Sequence, residues 1–378
     1  MGSGPAALAL AERSPAAVSL GRSPGPGSAT QRDTSLDLLR VVGILVIFLV
    51  HGRPPGWVVQ AVGFAVVLLV LASGMSHRLL LERQGLRPTA FLWRRLSRLV
   101  LPVWLFLAVY AAGTWLVTLA LDRPFPWSRE ELLETAFLGD GFGYVWIFRI
   151  YALLALLTLP LLALARRVAS PLRWGALGLG VLVAMEFVSP WALAHDLSES
   201  GEEWLRLVVL AAPAYAALFA HGLRLHEWGR RGLLGAALLG LLLFAGFTAW
   251  AMARPEGYQP PRAFKYPPRL YYLSWGLVVS HLLVLLRHPL ARRVPKAPVV
   301  WLSRNSMWVY LWHIPAVHHL QELGELLPLL ANHWPLRGLL LLASGLVGVL
   351  LQQALVRAAV RMWPSRPALF LADLSGAR

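Results

Sequence analysis

The sequence predicts an all-α protein, a polytopic bundle of about ten helices embedded in a membrane. Three observations carry that expectation. Of 378 residues, 57% are hydrophobic and 14% are charged, against roughly a quarter charged in an ordinary soluble domain. The apolar residues gather in runs of bilayer-crossing length, roughly 20 residues each. The 35 Lys and Arg residues outnumber the 19 Asp and Glu, and they cluster between those runs. That is how membrane proteins carry orientation signals, so the formal charge of +16 does not indicate nucleic acid as a partner. The chain has no Cys, which excludes disulfides, thiolate nucleophiles, zinc–thiolate sites and iron–sulfur clusters.

Residues 1–33 are Ala/Ser/Gly/Pro-rich, lack the continuous apolar stretch of a signal peptide, and are expected to form a disordered cytoplasmic tail. A membrane domain should occupy 34–360, followed by a short cytoplasmic tail over 361–378. The first span, 36–51, is short and carries Arg40 and His51. The second, 56–75, ends at Ser73-Gly74. The third, 99–121, follows the basic segment 93–98 and contains Pro102. The fourth, 144–165, stops at Arg166-Arg167, and the fifth, 174–194, starts after Arg173. The sixth and seventh, 204–222 and 232–252, flank Arg224, Arg230 and Arg231. The eighth, 269–286, runs into Arg287, the ninth, 299–320, follows Lys296, and the tenth, 336–356, runs into Arg357. With the N-terminus inside, most basic residues fall in cytoplasmic segments. Most acidic ones, among them Asp122, Glu130, Glu131 and Glu134, fall outside. The positive-inside rule therefore predicts both termini in the cytoplasm and a multi-pass protein of the plasma (inner) membrane.

One predicted external loop breaks this rule, with Arg254, Arg262, Lys265 and Arg269 opposed by Glu256. Either the neighbouring spans tolerate its charge, or Phe264-Lys265-Tyr266-Pro267-Pro268 is a stiff basic–aromatic element turned toward a substrate.

Ionisable side chains inside a bilayer are costly and mark function or buried pairing. Arg40 and His51 are eleven residues apart, which puts them on one helix face about 16 Å apart along the axis. Such a face suits a long ligand with an anionic end at Arg40 and a reactive end at His51. A snorkelling Arg and an interfacial His would look the same. Asp37, one turn before Arg40, is a candidate partner for it. His313 falls in mid-span, as a catalyst or a packing residue. Arg149, Tyr151, Glu186 and His281 are weaker cases that pairing across the bundle would explain, Arg149 with Glu186 among them. The segment Trp93-Arg94-Arg95-Leu96-Ser97-Arg98 anchors topology on anionic lipid or cradles the phosphates of a cytoplasmic donor.

These residues form a pattern. Arg40, ten residues and His51 resemble the R-x10-H signature of the bacterial membrane acyltransferase family 3. Leu71-Ala72-Ser73-Gly74-Met75 is similar to that family's S-G-F segment, with Met75 in place of the usual aromatic. Arg94-Arg95-Leu96-Ser97-Arg98-Leu99-Val100-Leu101-Pro102 resembles its R-R-x-x-R-x-x-P block. Val145 to Tyr151, with Trp146, resembles its fourth-helix motif, to which Arg149 adds a charge. Lys265-Tyr266-Pro267-Pro268 and Tyr310-Leu311-Trp312-His313 resemble actinobacterial members in particular. The resemblance runs from about 33 to 360, in order.

The resemblance implies transfer of an acyl group, with acetyl expected, from acetyl-CoA or another acyl-CoA to a hydroxyl of a sugar, glycan, lipid or natural product. His51 then corresponds to the catalytic histidine, and His313 is a second catalytic candidate. Arg40, Arg94, Arg95 and Arg98 would engage the donor's phosphates, and Ser73, Trp146, Arg149, Tyr151, Lys265 and Tyr266 would contact substrate. No metal is expected. A histidine suits the task because its unperturbed pKa lies near neutrality. A transporter of an acylated or glycosylated product is the alternative class, but the two five-helix halves share no motif of the kind transporter repeats show. Membrane lipid is an expected partner, and the acceptor and oligomeric state are not written in the sequence.

Overall fold

The computed structural model describes residues 32–84, 87–139, 141, 143–194, 202, 205–255 and 257–377. The N-terminal tail, with the disorder expected of it, lies outside the described residues except for Arg32 and Asp33. From Asp33 onward the described chain is one compact helical unit. Its long helices are α1 (Thr34–His51), α2 (Ala65–Gln84), α3 (Pro88–Ala120), α4 (Trp146–Arg167) and α5 (Pro171–Leu193). They continue as α6 (Ala211–Arg224), entered through a π turn at Leu205–Leu210, then α7 (Arg230–Met252) and α8 (Leu270–Arg293). Then come α9 (Lys296–His318), α10 (Trp334–Met362) and α11 (Arg366–Ser375).

Helices α1 to α10 correspond in order to the ten predicted spans. Among the described residues, nine helical segments are long and apolar enough to cross a membrane. The tenth, α9, is 23 residues long, but Ser303, Arg304, Asn305 and His313 lower its hydropathy. Most of those polar groups turn inward. Ser303 Oγ donates to Asp37 at 2.7 Å, and Asn305 accepts from Gln353 Nε2 at 2.9 Å. A helix satisfied by its neighbours needs less apolar surface than one facing lipid.

Helix ends depart most from the apolar runs. The predicted second span divides into a short helix, Gly56–Ala61, and α2, which runs on through His77 to Gln84. Helix α3 starts at Pro88, so the basic segment 94–98 is helical rather than a loop. Hydropathy marks bilayer depth, whereas a helix continues for as long as its backbone bonds are made.

Helix α1 lies at the centre, packed on α2, α8, α9 and α10, while α2 packs on α4, α6 and α8. Helices α5 and α7 are mostly exposed, with Leu238, Leu241 and Leu242 on the outside, as lipid-facing helices should be. The expected C-terminal tail contains α11. Trp308 Nε1 donates to the Leu374 carbonyl at 2.9 Å and Gln353 Nε2 to the Ser375 carbonyl at 3.2 Å, holding α11 against α9 and α10.

Candidate active site

Helix α1 delivers His51. Its N-terminus is capped by Asp33, which accepts from the amides of Ser35 at 3.0 Å and Leu36 at 3.3 Å. At its other end, Arg337 from α10 donates to the carbonyls of Gly52 at 2.7 Å and Arg53 at 2.9 Å. Those bonds satisfy carbonyls that the end of a helix leaves open, and they fix the turn just after His51.

His51 Nδ1 lies 2.8 Å from His313 Nε2, with the ring planes 7° apart and their centres at 5.0 Å. His313 is fully buried, and its Nδ1 hydrogen-bonds the Tyr310 carbonyl. A carbonyl only accepts, so in the neutral pair His313 Nδ1 carries the proton and its Nε2 accepts. His51 must therefore donate from Nδ1, which leaves His51 Nε2 with its lone pair bare. Nothing in the sequence joins these residues across 262 positions. Tyr144 packs edge-on against His51 at 4.9 Å and accepts from the Tyr310 hydroxyl at 2.6 Å through its carbonyl. Tyr144 holds φ 67°, a left-handed conformation uncommon outside glycine, of the kind that gathers at functional sites.

His51 opens into a cavity of about 110 Å³ lined by Ile47, Gln60, Val66, Trp146, Arg262, Lys265, Tyr266, Tyr272, Trp275 and Tyr310. Trp146 and Tyr266 meet edge to face at 5.3 Å. Lys265 Nζ sits 4.8 Å from the Tyr266 ring centre and 6.0 Å from that of Trp146. Burial pushes the Lys265 ammonium down to about 8, and its charge reaches His51. The loop that broke the charge rule is therefore a wall of this cavity.

A second cluster lies toward the other end of α1. Arg40 pairs with Asp37 at 3.4 Å, as expected, and also donates to Ser76 of α2. The charges of Arg40 and Arg98 act on Arg95, whose guanidinium carbon is 5.9 Å from the Phe91 ring centre. The Arg40 charge also reaches Tyr151. Among the described residues, Arg95 Nε is buried without a hydrogen-bond partner. Nearby, His77 Nδ1 meets Thr158 Oγ1 at 2.8 Å in the core.

The structure thus brings His51, His313, Trp146, Lys265 and Tyr266 together at one end, and Arg40, Arg95 and Tyr151 at the other. Arg94 and Arg98 are exposed beside the second group. Ser73 and Arg149 do not line the His51 cavity. The pairing considered for Arg149 with Glu186 is not the one seen. Glu186 takes Arg269 at 2.7 Å through Nη2 and 2.9 Å through Nε, and it also accepts the Leu270 amide. The start of α8 offers both an amide and a guanidinium to one carboxylate, which a lone side chain across the bundle cannot match.

Tyr144, Tyr272, Trp275 and Arg337 were not anticipated. Arg337 carried a usable signal, a cation at the edge of the apolar run 336–356, as Arg40 is in its own span. Compared with known families, residues 33–352 match the model of the acyltransferase 3 family, described as an acyltransferase domain. No curated protein and no solved structure matches the chain.

Proposed function

The chain belongs to the acyltransferase 3 family, and from that premise we propose that it is a membrane O-acyltransferase. It moves an acyl group, acetyl as the expected one, from cytoplasmic acyl-CoA to a hydroxyl of a sugar, glycan, lipid or natural-product acceptor. The observation that carries this reading is the His51–His313 pair opening onto an aromatic, cationic cavity. His51 Nε2 takes the hydroxyl proton as the acceptor oxygen attacks the thioester carbonyl. A C–O bond forms and the carbonyl becomes an oxyanion. As the C–S bond breaks, the departing thiolate takes the proton back from His51. Accepting from His51 Nδ1–H, His313 Nε2 holds the tautomer and stabilises the imidazolium that forms. Lys265 supplies positive charge for the oxyanion.

The cavity volume supports a short acyl group. A cavity of ~150 Å³ holds benzene, so about 110 Å³ suits a two-carbon acyl group better than a long chain. Trp146 and Tyr266 offer ring faces to a sugar. Arg40, Arg95 and Arg98, with Arg94 beside them, suit the donor's phosphates, and Tyr151 joins them beside Arg40. The two clusters are about 16 Å apart along α1, a separation suited to an extended donor. The protein resides in the plasma membrane with both termini in the cytoplasm.

The test is transfer from radiolabelled acetyl-CoA in membranes carrying the wild type or His51→Ala. His51→Ala should elute as a folded, monodisperse protein and transfer no label, and normal transfer by it overturns the assignment. Mass spectrometry of glycans and secondary metabolites from strains with and without the gene would identify the acyl group and acceptor together.

A further inference from the structure

Tyr266 lines a second cavity besides the one at His51. It measures about 280 Å³ and is bounded by Arg206, Arg254, Arg269, Ser189 and Gln259. No carboxylate lines it among the described residues. Glu186 and Glu202 pair with Arg269 and Arg206 from outside the lining, while Arg254 stands 5.0 Å from the centre of the Trp250 ring. Ser189 is 1% exposed, and its hydroxyl has no hydrogen-bond partner among the described residues. A buried hydroxyl without a partner is costly. With Arg262 and Lys265 in the adjoining cavity, the two spaces flanking Tyr266 are lined by five cations and, among the described residues, by no carboxylate.

A neutral acceptor does not call for such a lining. A guanidinium paired with a carboxylate outside the lining still has N–H donors for an anion. We propose that the cavity of Arg206, Arg254, Arg269 and Ser189 binds an anionic group, carboxylate or phosphate, carried by the acceptor whose hydroxyl enters the His51 cavity. The inference rests on the acyltransferase reading and adds the acceptor's class, an acidic glycan or phosphorylated sugar rather than a neutral one. Tyr266, shared by both cavities, then faces the part of the acceptor that joins the anion to the reacting hydroxyl.

The experiment measures binding without the donor. The full-length protein, in nanodiscs of neutral lipid, is titrated with glucuronate, glucose and inorganic phosphate. Glucuronate should bind at least tenfold more tightly than glucose, and inorganic phosphate should displace it. Arg254→Gln and, independently, Arg206→Gln should each lower glucuronate affinity about tenfold while eluting as monodisperse protein. The preference should persist in His51→Ala, so a failure of acyl transfer and a failure of anion binding are separate results. Equal binding of glucose and glucuronate, or unchanged affinity in both folded arginine variants, overturns the proposal. So does loss of glucuronate binding in nanodiscs containing phosphatidylglycerol, because the cavity's anion would then be a lipid headgroup.

Discussion

At the scale of single residues, the site depends on which nitrogen of His51 is bare, and His313 decides that. His313→Gln can still present an oxygen where Nε2 accepted from His51. His313→Asn is too short to do so, although it can still reach the Tyr310 carbonyl. In purified protein, His313→Asn should lower kcat about 100-fold with KM for acyl-CoA near wild type, and His313→Gln should recover part of the loss. Equal losses in both would mean that the ring only fills space. Lys265 makes a prediction in pH. Burial holds its folded-state pKa at about 8, below the ordinary lysine range, so its positive charge is present below that pH and lost above it. Arg262, on its own loop, and His51, Tyr266, Tyr272 and Tyr310 are the other ionisable groups that line this cavity. Acyl transfer that draws on the Lys265 charge should fall as pH rises from 7 to 9.5. In Lys265→Arg the fall should disappear, because the guanidinium stays charged over that range. Both histidines were legible as ionisable residues at membrane depth. Their contact was not, because hydropathy carries no information about which spans are neighbours.

At the scale of helices, α1 holds its position because α2 is held against α6. A methyl on Gly222 would collide with the Leu71 carbonyl, and one on Gly74 with the Phe219 carbonyl. The two backbones approach so closely that only hydrogen fits. Gly222→Ala must therefore push α2 away and, through it, disturb the seat of α1. We expect a loss of about 1–3 kcal/mol, read as a lower Tm in detergent. Gly246→Ala, with open space around it on α7, should change Tm little. Unaltered stability in Gly222→Ala would show that the crossing relaxes freely. The small pair Ser73-Gly74 is visible in the sequence, and small residues suit close helix packing as readily as ligand contact. The backbone approach gives Gly74 to packing. Likewise the apolar runs located ten helices, yet missed the break before α2 and the early start of α3. Those ends are set by hydrogen bonding and capping, which a count of apolar residues does not register.

At the scale of the whole molecule, orientation and mechanism constrain each other. The end of the bundle bearing Arg78, Arg94, Arg95, Arg166, Arg167, Arg230, Arg292 and Arg293 is the one near Arg40. The His51 cavity opens among the loops of the other end. Under the proposed function, a basic end facing the cytoplasm would let the arginines meet a cytoplasmic donor and the Lys265 loop an acceptor across the membrane. Reversed, the bundle would turn its arginine cluster away from the coenzyme A pool. The local exception in charge, the loop around Lys265, does not weaken this orientation. Its Arg269 is neutralised by Glu186, and Lys265 is drawn into the cavity wall rather than left as a topological signal. Because the chain has no Cys, single introduced cysteines report orientation without background. Arg123→Cys and Tyr258→Cys should react with a membrane-impermeant maleimide in intact cells. Arg173→Cys and Arg293→Cys should react only after permeabilisation. The opposite pattern would sink both the topology and the cytoplasmic donor, since the same arginines cannot serve both on the outer face.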